Sequence, residues 1–386
     1  MDFVCVDLGA SGTRYTSDKA EITTLPNNIV QLNTGEVTTL RPDAPDIESC
    51  LEVTITRKGE PLENDFFPCT VLMGQMATRY SSNNDRPSGM SNKYTQRINY
   101  VSAIVSAALA RLKFGTSEDI DLYIAVPPVE INLAREAFST KLTGKFVVTI
   151  PKYMGGATIN LNINSVSVHE ESYMSTVSFL FNMNGSLKED NKKYLVGKML
   201  SIDIGASTTD FAIVQNGKFL DKSGRTIKTG GNVARDVVID KIRELYGFDL
   251  PVEDAENVMA EGRLQLGAEY VDVTDIVNKG KSELAKSIVN EMQSYFRSVN
   301  IPLQTINCMM VSGGGSMQSQ YINDDKEVVK TASPMSEFVT EWLQSVCKTV
   351  PVVTYGDDAR LANIRGLFIK AMLDSTLNKS ADSTKK

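Results

Sequence analysis

Apolar and β-branched residues form two short runs that each end in an aspartate and a polar turn. Residues 4–13 read VCVDLGASGT and residues 200–209 read LSIDIGASTT. The two runs align without gaps at an offset of 196 residues and are identical at five of ten positions. An apolar run followed by a polar turn is typical of a buried strand entering a hairpin. The pattern predicts an α/β chain with two similar halves, each opening with the same hairpin.

The pattern between and after these runs predicts further elements. An apolar stripe with helical spacing predicts a helix over about residues 93–112 that ends near Gly115. Alternating and continuous apolar runs predict strands at residues 121–126 and 307–312. The charged segment 250–298 has a helical pattern and no strand signal.

Composition shifts along the chain predict two insertions. The turn-rich region of about residues 32–92 is interpreted as an inserted subdomain, and about residues 235–300 as a helical insertion. The polar, lysine-rich tail from Asp374 is predicted to be a frayed end. It lacks the apolar stripe of a membrane-binding helix.

Charge and composition exclude several classes of function. The chain has 40 Lys and Arg against 47 Asp and Glu, a net charge of −7, which disfavours direct nucleic-acid binding. Its five cysteines form no CxxC pair, and its one histidine, His169, is expected to be structural. Catalysis must therefore use carboxylates, hydroxyls, backbone amides and bound metal. With no signal peptide and no membrane span, a cytoplasmic location is expected.

The first hairpin carries groups suited to phosphate binding. Glycines let the backbone approach a ligand, hydroxyls and turn amides can donate to phosphate oxygens, and a guanidinium adds positive charge. The carboxylate at the end of the apolar run could face a magnesium ion. These candidates are Asp7, Gly9, Ser11, Gly12, Thr13 and Arg14.

The second hairpin offers a similar set with a second carboxylate and three successive hydroxyls. Its candidates are Asp203, Gly205, Ser207, Thr208, Thr209 and Asp210. Neither hairpin is a Walker-type loop, because the Gly-Lys-Ser/Thr ending is absent. A single hairpin of this kind is typical of an ordinary turn, whereas two that each carry an aspartate favour a Mg-nucleotide site.

Two glycine clusters complete the candidates. Gly313, Gly314 and Gly315 follow an apolar strand, where a backbone without side chains could admit a ring or ribose; the alternative is a flexible loop. Gly230 and Gly231 precede Asn232, a predicted helix cap whose neighbouring free amides would suit an anion; the alternative is a simple helix start.

The order of these motifs resembles the superfamily of actin, hsp70 chaperones and sugar kinases, and most closely the ParM-type bacterial actins that segregate plasmids. Arg14 stands where actins and ParM carry a phosphate-contacting lysine, and residues 362–367 resemble their Ala-Asn-x-x-Gly helix. Ala10 and Ala206 stand where relatives often have Ser or Gly. These departures imply altered nucleotide affinity with the chemistry retained.

The resemblance implies two ribonuclease-H-like, actin-like domains with a nucleotide cleft between them. Domain I would comprise residues 1–195 and 355–386, and domain II residues 196–354. The cofactors would be ATP and Mg²⁺, with Asp7 and Asp203 facing the metal, mostly through its waters.

The resemblance also places the residue that orients the attacking water just after a strand. Glu171 is favoured for this role and Glu170 is the second choice. A helix-dipole role for the adjacent glutamates remains an alternative.

The function implied is a cytoplasmic ATPase that forms filaments with ATP, disassembles after hydrolysis, and moves plasmid DNA through a DNA-binding adaptor protein. The negative net charge agrees with an adaptor that contacts the DNA. Two alternatives stay open: a small-molecule kinase of the same fold, and a nucleotide-gated cytoskeletal scaffold. The sequence leaves the choice between ATP and GTP open.

Overall fold

The structure is a computed structural model that describes residues 2–9, 12–32, 50–60, 62–63, 65–80, 91–151, 156–344, 350–356 and 358–383. The chain divides into two compact units. The first comprises residues 1–186 with 363–386, and the second comprises residues 187–362. The domain limits predicted from the sequence, after residue 195 and before residue 355, both fall within the second unit.

The elements are numbered in chain order. The described helices are α1 (Gln75–Tyr80), α2 (Arg97–Phe114), α3 (Ile131–Leu142), α4 (Glu171–Leu180), α5 (Gly231–Tyr246), α6 (Val252–Glu261), α7 (Thr274–Val299), α8 (Met335–Gln344) and α9 (Ala362–Ser383). The described strands are β1 (Asp2–Leu8), β2 (Thr13–Ser17), β3 (Thr23–Leu25), β4 (Ile29–Leu32), β5 (Cys50–Lys58), β6 (Cys69–Gly74), β7 (Asp119–Val126), β8 (Gly144–Ile150), β9 (Ala157–Glu170), β10 (Lys198–Ile204), β11 (Thr209–Gln215), β12 (Lys218–Phe219), β13 (Arg225–Ile227), β14 (Arg263–Leu266), β15 (Glu269–Asp272), β16 (Cys308–Ser312), β17 (Gln320–Ile322), β18 (Val328–Lys330) and β19 (Val352–Thr354).

The first unit is built on one mixed sheet. Among the described strands its order is β3-β2-β1-β7-β9-β8-β5-β6-β4. Strands β1, β7 and β9 run parallel, and the remaining neighbours pair antiparallel. The central strands are buried along nearly their whole length, as expected where elements pack on both faces of a sheet. The described part of the predicted insertion at residues 32–92 extends this same sheet through β4, β5 and β6.

Helix α2 packs against the central strands, and residues 98–110 are all buried. It ends where predicted, at Gly115, whose φ of 67° is accessible to glycine at low cost. The predicted start at residue 93 is wrong. Lys93–Thr95 instead forms a separate 3₁₀ turn that is followed by extended backbone at Gln96.

Helix α9 crosses α4 at a very short distance. A Cβ added at Gly366 would lie 1.9 Å from the carbonyl oxygen of Met174, so a side chain there would collide with the backbone of α4. This explains the glycine of the Ala-Asn-x-x-Gly pattern. The predicted frayed end from Asp374 is wrong, because α9 continues to Ser383. Asp374 pairs with Lys370 one turn earlier and accepts a hydrogen bond from the Tyr123 hydroxyl at 3.5 Å.

The second unit contains a smaller mixed sheet in the order β12-β11-β10-β16-β19, with β13 also pairing with β11. Strands β10, β16 and β19 run parallel. Helices α5 and α7 pack together, and α7 also packs against α8. The segment 250–298 does contain strands, contrary to the sequence expectation. Strands β14 and β15 form a hairpin around Gly267, too short for its alternation to stand out in a charged segment.

Both predicted hairpins form, as β1–β2 and β10–β11, and the predicted α/β class is confirmed. In each unit the first hairpin strand pairs in parallel with the next long strand of the sheet, β7 or β16. Of the helices that the structure describes, none combines the length and the apolar character needed to cross a membrane.

Candidate functional site

The two predicted aspartates occupy equivalent positions in the two units. Asp7 lies next to the last residue of β1 and pairs across the hairpin with Arg14. Asp203 lies next to the last residue of β10 and pairs across its hairpin with Asp210. Both lie at the carboxyl end of a strand that has a parallel neighbour, which is where α/β sheets bind ligands. Each unit thus presents one buried carboxylate at a position suited to a ligand.

The first hairpin pairs opposite charges. The guanidinium Nη1 of Arg14 lies 3.5 Å from Oδ2 of Asp7, and both side chains are largely buried. Gly9 is the first residue after β1, and a Cβ there would lie 2.8 Å from the carbonyl oxygen of Gly12. The turn is therefore too tight for a side chain at Gly9 without movement of the backbone. Ser11, a predicted phosphate ligand, and Ala10 lie outside the described residues.

Asn27 stabilises this turn through hydrogen bonds to both of its sides, and this role was not predicted from the sequence. Its Nδ2 donates to the carbonyl oxygen of Gly9 at 2.6 Å, and its Oδ1 accepts from the hydroxyls of Thr13 at 2.9 Å and Ser102 at 2.8 Å. The proton of the Thr13 hydroxyl is therefore directed to Asn27. A single asparagine after a proline carries no motif, so only the fold reveals its role.

The predicted water-orienting glutamates lie at the junction of β9 and α4. Glu171 is the first residue of α4, is buried, and forms an ion pair with Lys93. Burial raises the pKa of Glu171, and the charge of Asp7 acts in the same direction while Lys93 opposes it. Glu170, the second choice, pairs instead with Arg135 at 3.7 Å. The structure therefore brings Glu171 into an electrostatic group with Asp7.

Glu130 is a third buried carboxylate of this group and was also missed. Its Oε2 accepts a hydrogen bond from the backbone N–H of Lys93 at 2.7 Å. Burial raises the pKa of Glu130 to about 7, partly offset by its contacts with Lys93. Neither Lys93 nor Glu130 belongs to a sequence motif, because they come together only when the turn before α2 meets the turn before α3.

His169 takes the structural role expected of it. Its ring stacks on Tyr123 with centroids 5.9 Å apart and planes 7° from parallel. Burial lowers the pKa of His169 to about 4. The ring therefore stays neutral near pH 7.

In the second unit, the hairpin turn is packed against the start of α5. The N–H of Gly231 donates to the carbonyl oxygen of Gly205 at 2.9 Å, and the N–H of Asn232 donates to that of Ala206 at 2.7 Å. The Asn232 side chain also donates to the Ser207 hydroxyl at 3.1 Å. The expectation that these amides are free for an anion is therefore wrong. The N-cap of α5 is Gly230, two residues before the predicted cap Asn232.

Gly230 is required by this packing. A Cβ there would lie 2.6 Å from the amide nitrogen of Thr208 and 2.7 Å from the carbonyl carbon of Ser207. At Gly231 the nearest atom would be 3.6 Å away, an ordinary contact. The first glycine of the pair therefore holds the hairpin and helix together, while the second tolerates a methyl group sterically.

The glycine cluster after β16 lies against the end of β10. Gly313 has a φ of 86°, and a Cβ there would lie 2.3 Å from Oδ1 of Asp203. A Cβ at Gly315 would lie 2.6 Å from Cγ2 of Ile204. A Cβ added at Gly314 would lie 3.3 Å from its nearest neighbour, Cγ of Arg360. The structure thus brings the predicted cluster and Asp203 together.

Two polar side chains of the second hairpin are engaged within the unit. Asp210 is buried and accepts a hydrogen bond from the Thr226 hydroxyl. The Thr209 hydroxyl donates to the carbonyl oxygen of Thr229 at 2.7 Å. Thr208 accepts through its carbonyl oxygen the N–H of Gly205 at 2.9 Å, which closes the turn. These hydrogen bonds stabilise the conformation of the hairpin.

The donor chemistry of Asp7 and Asp203 fits Mg²⁺. Within the residues that the structure describes, His, Cys, Asp and Glu side chains form no cluster of three that could hold a metal alone. Mg²⁺ commonly takes one or two carboxylates and completes its shell with water and substrate phosphates. A lone carboxylate at a strand end is therefore sufficient for such a site, and a protein cage is not needed.

Residues 201–321 match the family described as the C-terminal domain of archaeal MreB-like actin homologues. No curated protein matches the chain by sequence. Solved structures match along nearly the whole chain. The actin-like protein Alp7A has a TM-score of 0.73 at 15% identity and covers 99% of both chains.

Two further similar structures contain a nucleotide. An archaeal actin homologue in complex with ADP has a TM-score of 0.66 at 15% identity, covering 96% of this chain and 99% of its own. ParM from Bacillus thuringiensis with ATP has a TM-score of 0.66 at 18% identity, covering 97% and 99%. The chain therefore has the fold of actin-like proteins and is similar to ParM and archaeal actins.

Proposed function

We propose that this protein is an actin-like ATPase that binds Mg-ATP through both hairpins and assembles into filaments. The observation that carries the proposal is the repeated arrangement of a buried aspartate at a strand end, followed by a tight hairpin turn, once in each unit. The fold similarity to solved actin homologues with ADP or ATP supports it.

Each hairpin contributes different groups to nucleotide binding. In the first, Arg14 and the turn around Gly12 would bind phosphate, and Asp7 would hold Mg²⁺. In the second, Asp203 would have the same role, and the turn of residues 206–208 would donate to phosphate oxygens. The glycines at 313–315 let this loop lie directly against Asp203 and Ile204. Bound Mg²⁺ neutralises charge that develops on the phosphates.

Glu171 orients the attacking water in this proposal. Its carboxylate accepts a hydrogen bond from the water whose oxygen bonds to the γ-phosphorus as the bond to the ADP oxygen breaks. Phosphoryl transfer depends on positioning and charge neutralisation more than on a nucleophilic side chain. A buried glutamate at the start of α4 meets that need, since helix α4 and its ion pair with Lys93 fix its position.

The similarity to ParM and Alp7A supports ATP-dependent assembly and plasmid segregation as part of this proposal. Head-to-tail filament contacts are heterologous and do not close. The net charge of −7 favours a separate DNA-binding adaptor protein over direct DNA contact. We place this activity in the cytoplasm.

Sedimentation with phosphate release tests the proposal. The purified protein should pellet with Mg-ATP, stay in the supernatant with Mg-ADP, and release phosphate as the filaments form and decay. Asp203→Asn should remain in the supernatant with either nucleotide. If the wild-type protein stays soluble with Mg-ATP at tens of micromolar across salt concentrations, the filament proposal is wrong. Phosphate transfer to a small molecule would then favour a kinase.

A further inference from the structure

The turn before α2 is held by side chains from two directions. The backbone N–H of Lys93 donates to Glu130 at 2.7 Å, and its carbonyl oxygen accepts from Nδ2 of Asn99 at 2.9 Å. The next carbonyl oxygen, of Tyr94, accepts from the Tyr100 hydroxyl. Both backbone polar groups of Lys93 are therefore fixed by side chains that are themselves buried. The origin of the Lys93 side chain is set more firmly than that of an ordinary surface lysine.

The Lys93 side chain reaches from this fixed turn to Glu171. Its Nζ forms an ion pair with Oε1 of Glu171, and the exposed fractions of the two side chains are only 17% and 10%. The same ammonium lies in the field of Asp7 and Glu130. The Lys93 ammonium thus contacts Glu171 directly. Glu130 and Asp7, which is also paired with Arg14, add to the negative field around it.

Stability alone is a weak reason for such a pair. Burying two charges costs desolvation energy that their attraction often only balances, and well-packed apolar side chains frequently do as well. An ammonium held at a fixed point does something an apolar side chain cannot, because it keeps one oxygen of the carboxylate in place and favours its charged form.

We propose that Lys93 is a positioning residue that holds the Glu171 carboxylate in the orientation needed to accept a hydrogen bond from the attacking water. This inference rests on the proposed function. Lys93 contacts one carboxylate oxygen of Glu171, and the hydrogen bond from the water would go to the other. Glu130 acts one step further away by fixing the backbone of Lys93.

Single-turnover phosphate release with nucleotide affinity tests this role. Lys93→Met keeps the length of the side chain and removes its charge. It should slow phosphate release by about 10–100-fold, because a shift of about 1 Å in the attacking water can cost that much in rate. The Kd for Mg-ATP should stay within about twofold of the wild-type value. Lys93→Arg should restore most of the rate.

A matched control and a second background separate positioning from folding. Lys113 also sits in the first unit and pairs with a glutamate, Glu21 at 3.4 Å, so Lys113→Met should leave the rate unchanged. In a Glu171→Gln background, Lys93→Met should cost no more than about twofold, because residues acting through one another are non-additive. If Lys93→Met does not fold, Glu130→Ala should give a smaller loss of rate with unchanged affinity.

Three results would overturn the inference. These are an unchanged rate in Lys93→Met, an equal loss of rate in the wild-type and Glu171→Gln backgrounds, and a weakened Kd with an unchanged maximal rate. Each would be read against wild-type protein that releases phosphate normally. If the wild-type protein itself releases none, the proposed ATPase is wrong and this inference falls with it.

Discussion

The two hairpins share backbone geometry and differ in charge. In both, an aspartate next to the end of the first strand lies directly across from a residue on the second strand. In the first unit that residue is Arg14, and in the second it is Asp210. Opposite charges across a strand pair stabilise it, and like charges destabilise it. Across the strands the first hairpin therefore has an ion pair, whereas the second places two carboxylates opposite each other.

The two hairpin turns are also stabilised by different contacts. The first turn is fastened by Arg14 and by Asn27, which bonds both sides of the turn. The second is fastened by the backbone of α5, through the amides of Gly231 and Asn232. A ligand that brings positive charge would relieve the second hairpin more than the first. Mg²⁺ near Asp203 has that effect in the proposed function.

The largest expected effect comes from neutralising the two aspartates. Asp7→Asn leaves the Arg14 guanidinium buried without its charge partner and should lower the free energy of unfolding by about 3 kcal/mol. Asp203→Asn removes one of two like charges and should leave it unchanged or raise it by up to about 1 kcal/mol. Urea unfolding followed by far-ultraviolet circular dichroism measures both. Equal losses in the two variants would contradict the comparison.

A smaller effect is expected from the glycines at the start of α5. Gly230→Ala places a methyl group within 2.6 Å of the Thr208 amide nitrogen, so the hairpin or the helix must shift. Overpacking of this kind should cost about 2 kcal/mol. Gly231→Ala is the matched control, with its nearest atom at 3.6 Å.

Trp342, the single tryptophan, lies in the second unit and reports its unfolding through fluorescence. Gly230→Ala should shift this transition to lower urea concentration than Gly231→Ala. If the two alanine variants unfold at the same urea concentration, the packing of α5 does not stabilise the second hairpin.

The smallest effect concerns Glu130 and pH. Its pKa is raised to about 7 in the folded protein, above the ordinary value of 4.5, so its contribution to stability is present at low pH and is lost as the pH rises toward 7. Glu130→Gln removes this dependence and keeps an acceptor for the Lys93 N–H. The Tm of the variant should exceed that of the wild type by roughly 2–4 °C at pH 7.5, and the gap should close near pH 5.

Thermal scans of both proteins between pH 5 and pH 8 measure that gap. A constant difference across the range would show that Glu130 carries no titrating charge of its own. The balance of Lys93 and Arg14 against the three carboxylates of the first unit would then need revision.

The sequence predicts the repeated hairpins because their signal is local. An apolar run, an aspartate and a glycine turn lie within ten residues, and the run recurs at a fixed offset. The end of α2 at Gly115 was equally predictable, because a glycine cap is a local signal. The start of α2 was predicted too early, since the helical spacing of apolar residues does not reveal the 3₁₀ turn at residues 93–95.

The rest of the candidate site depends on contacts between distant segments. Asn27, Lys93 and Glu130 are ordinary polar residues in turns, and each gains its role from a partner 18 to 78 positions away. The amides of α5 were expected to be free, yet the hairpin turn occupies them, which only the packing of α5 decides. Binding of the nucleotide itself remains a prediction.

Calorimetric titration of Mg-ATP measures whether the chain binds nucleotide through Asp7 and Asp203. It should be run on the wild type, Asp7→Asn and Asp203→Asn at a temperature where all three are folded. The account predicts one nucleotide per chain for the wild type, and affinity weakened by about 100-fold, or ~2.7 kcal/mol, in each variant. Absence of binding to the wild type, or undiminished binding by either variant, would contradict it.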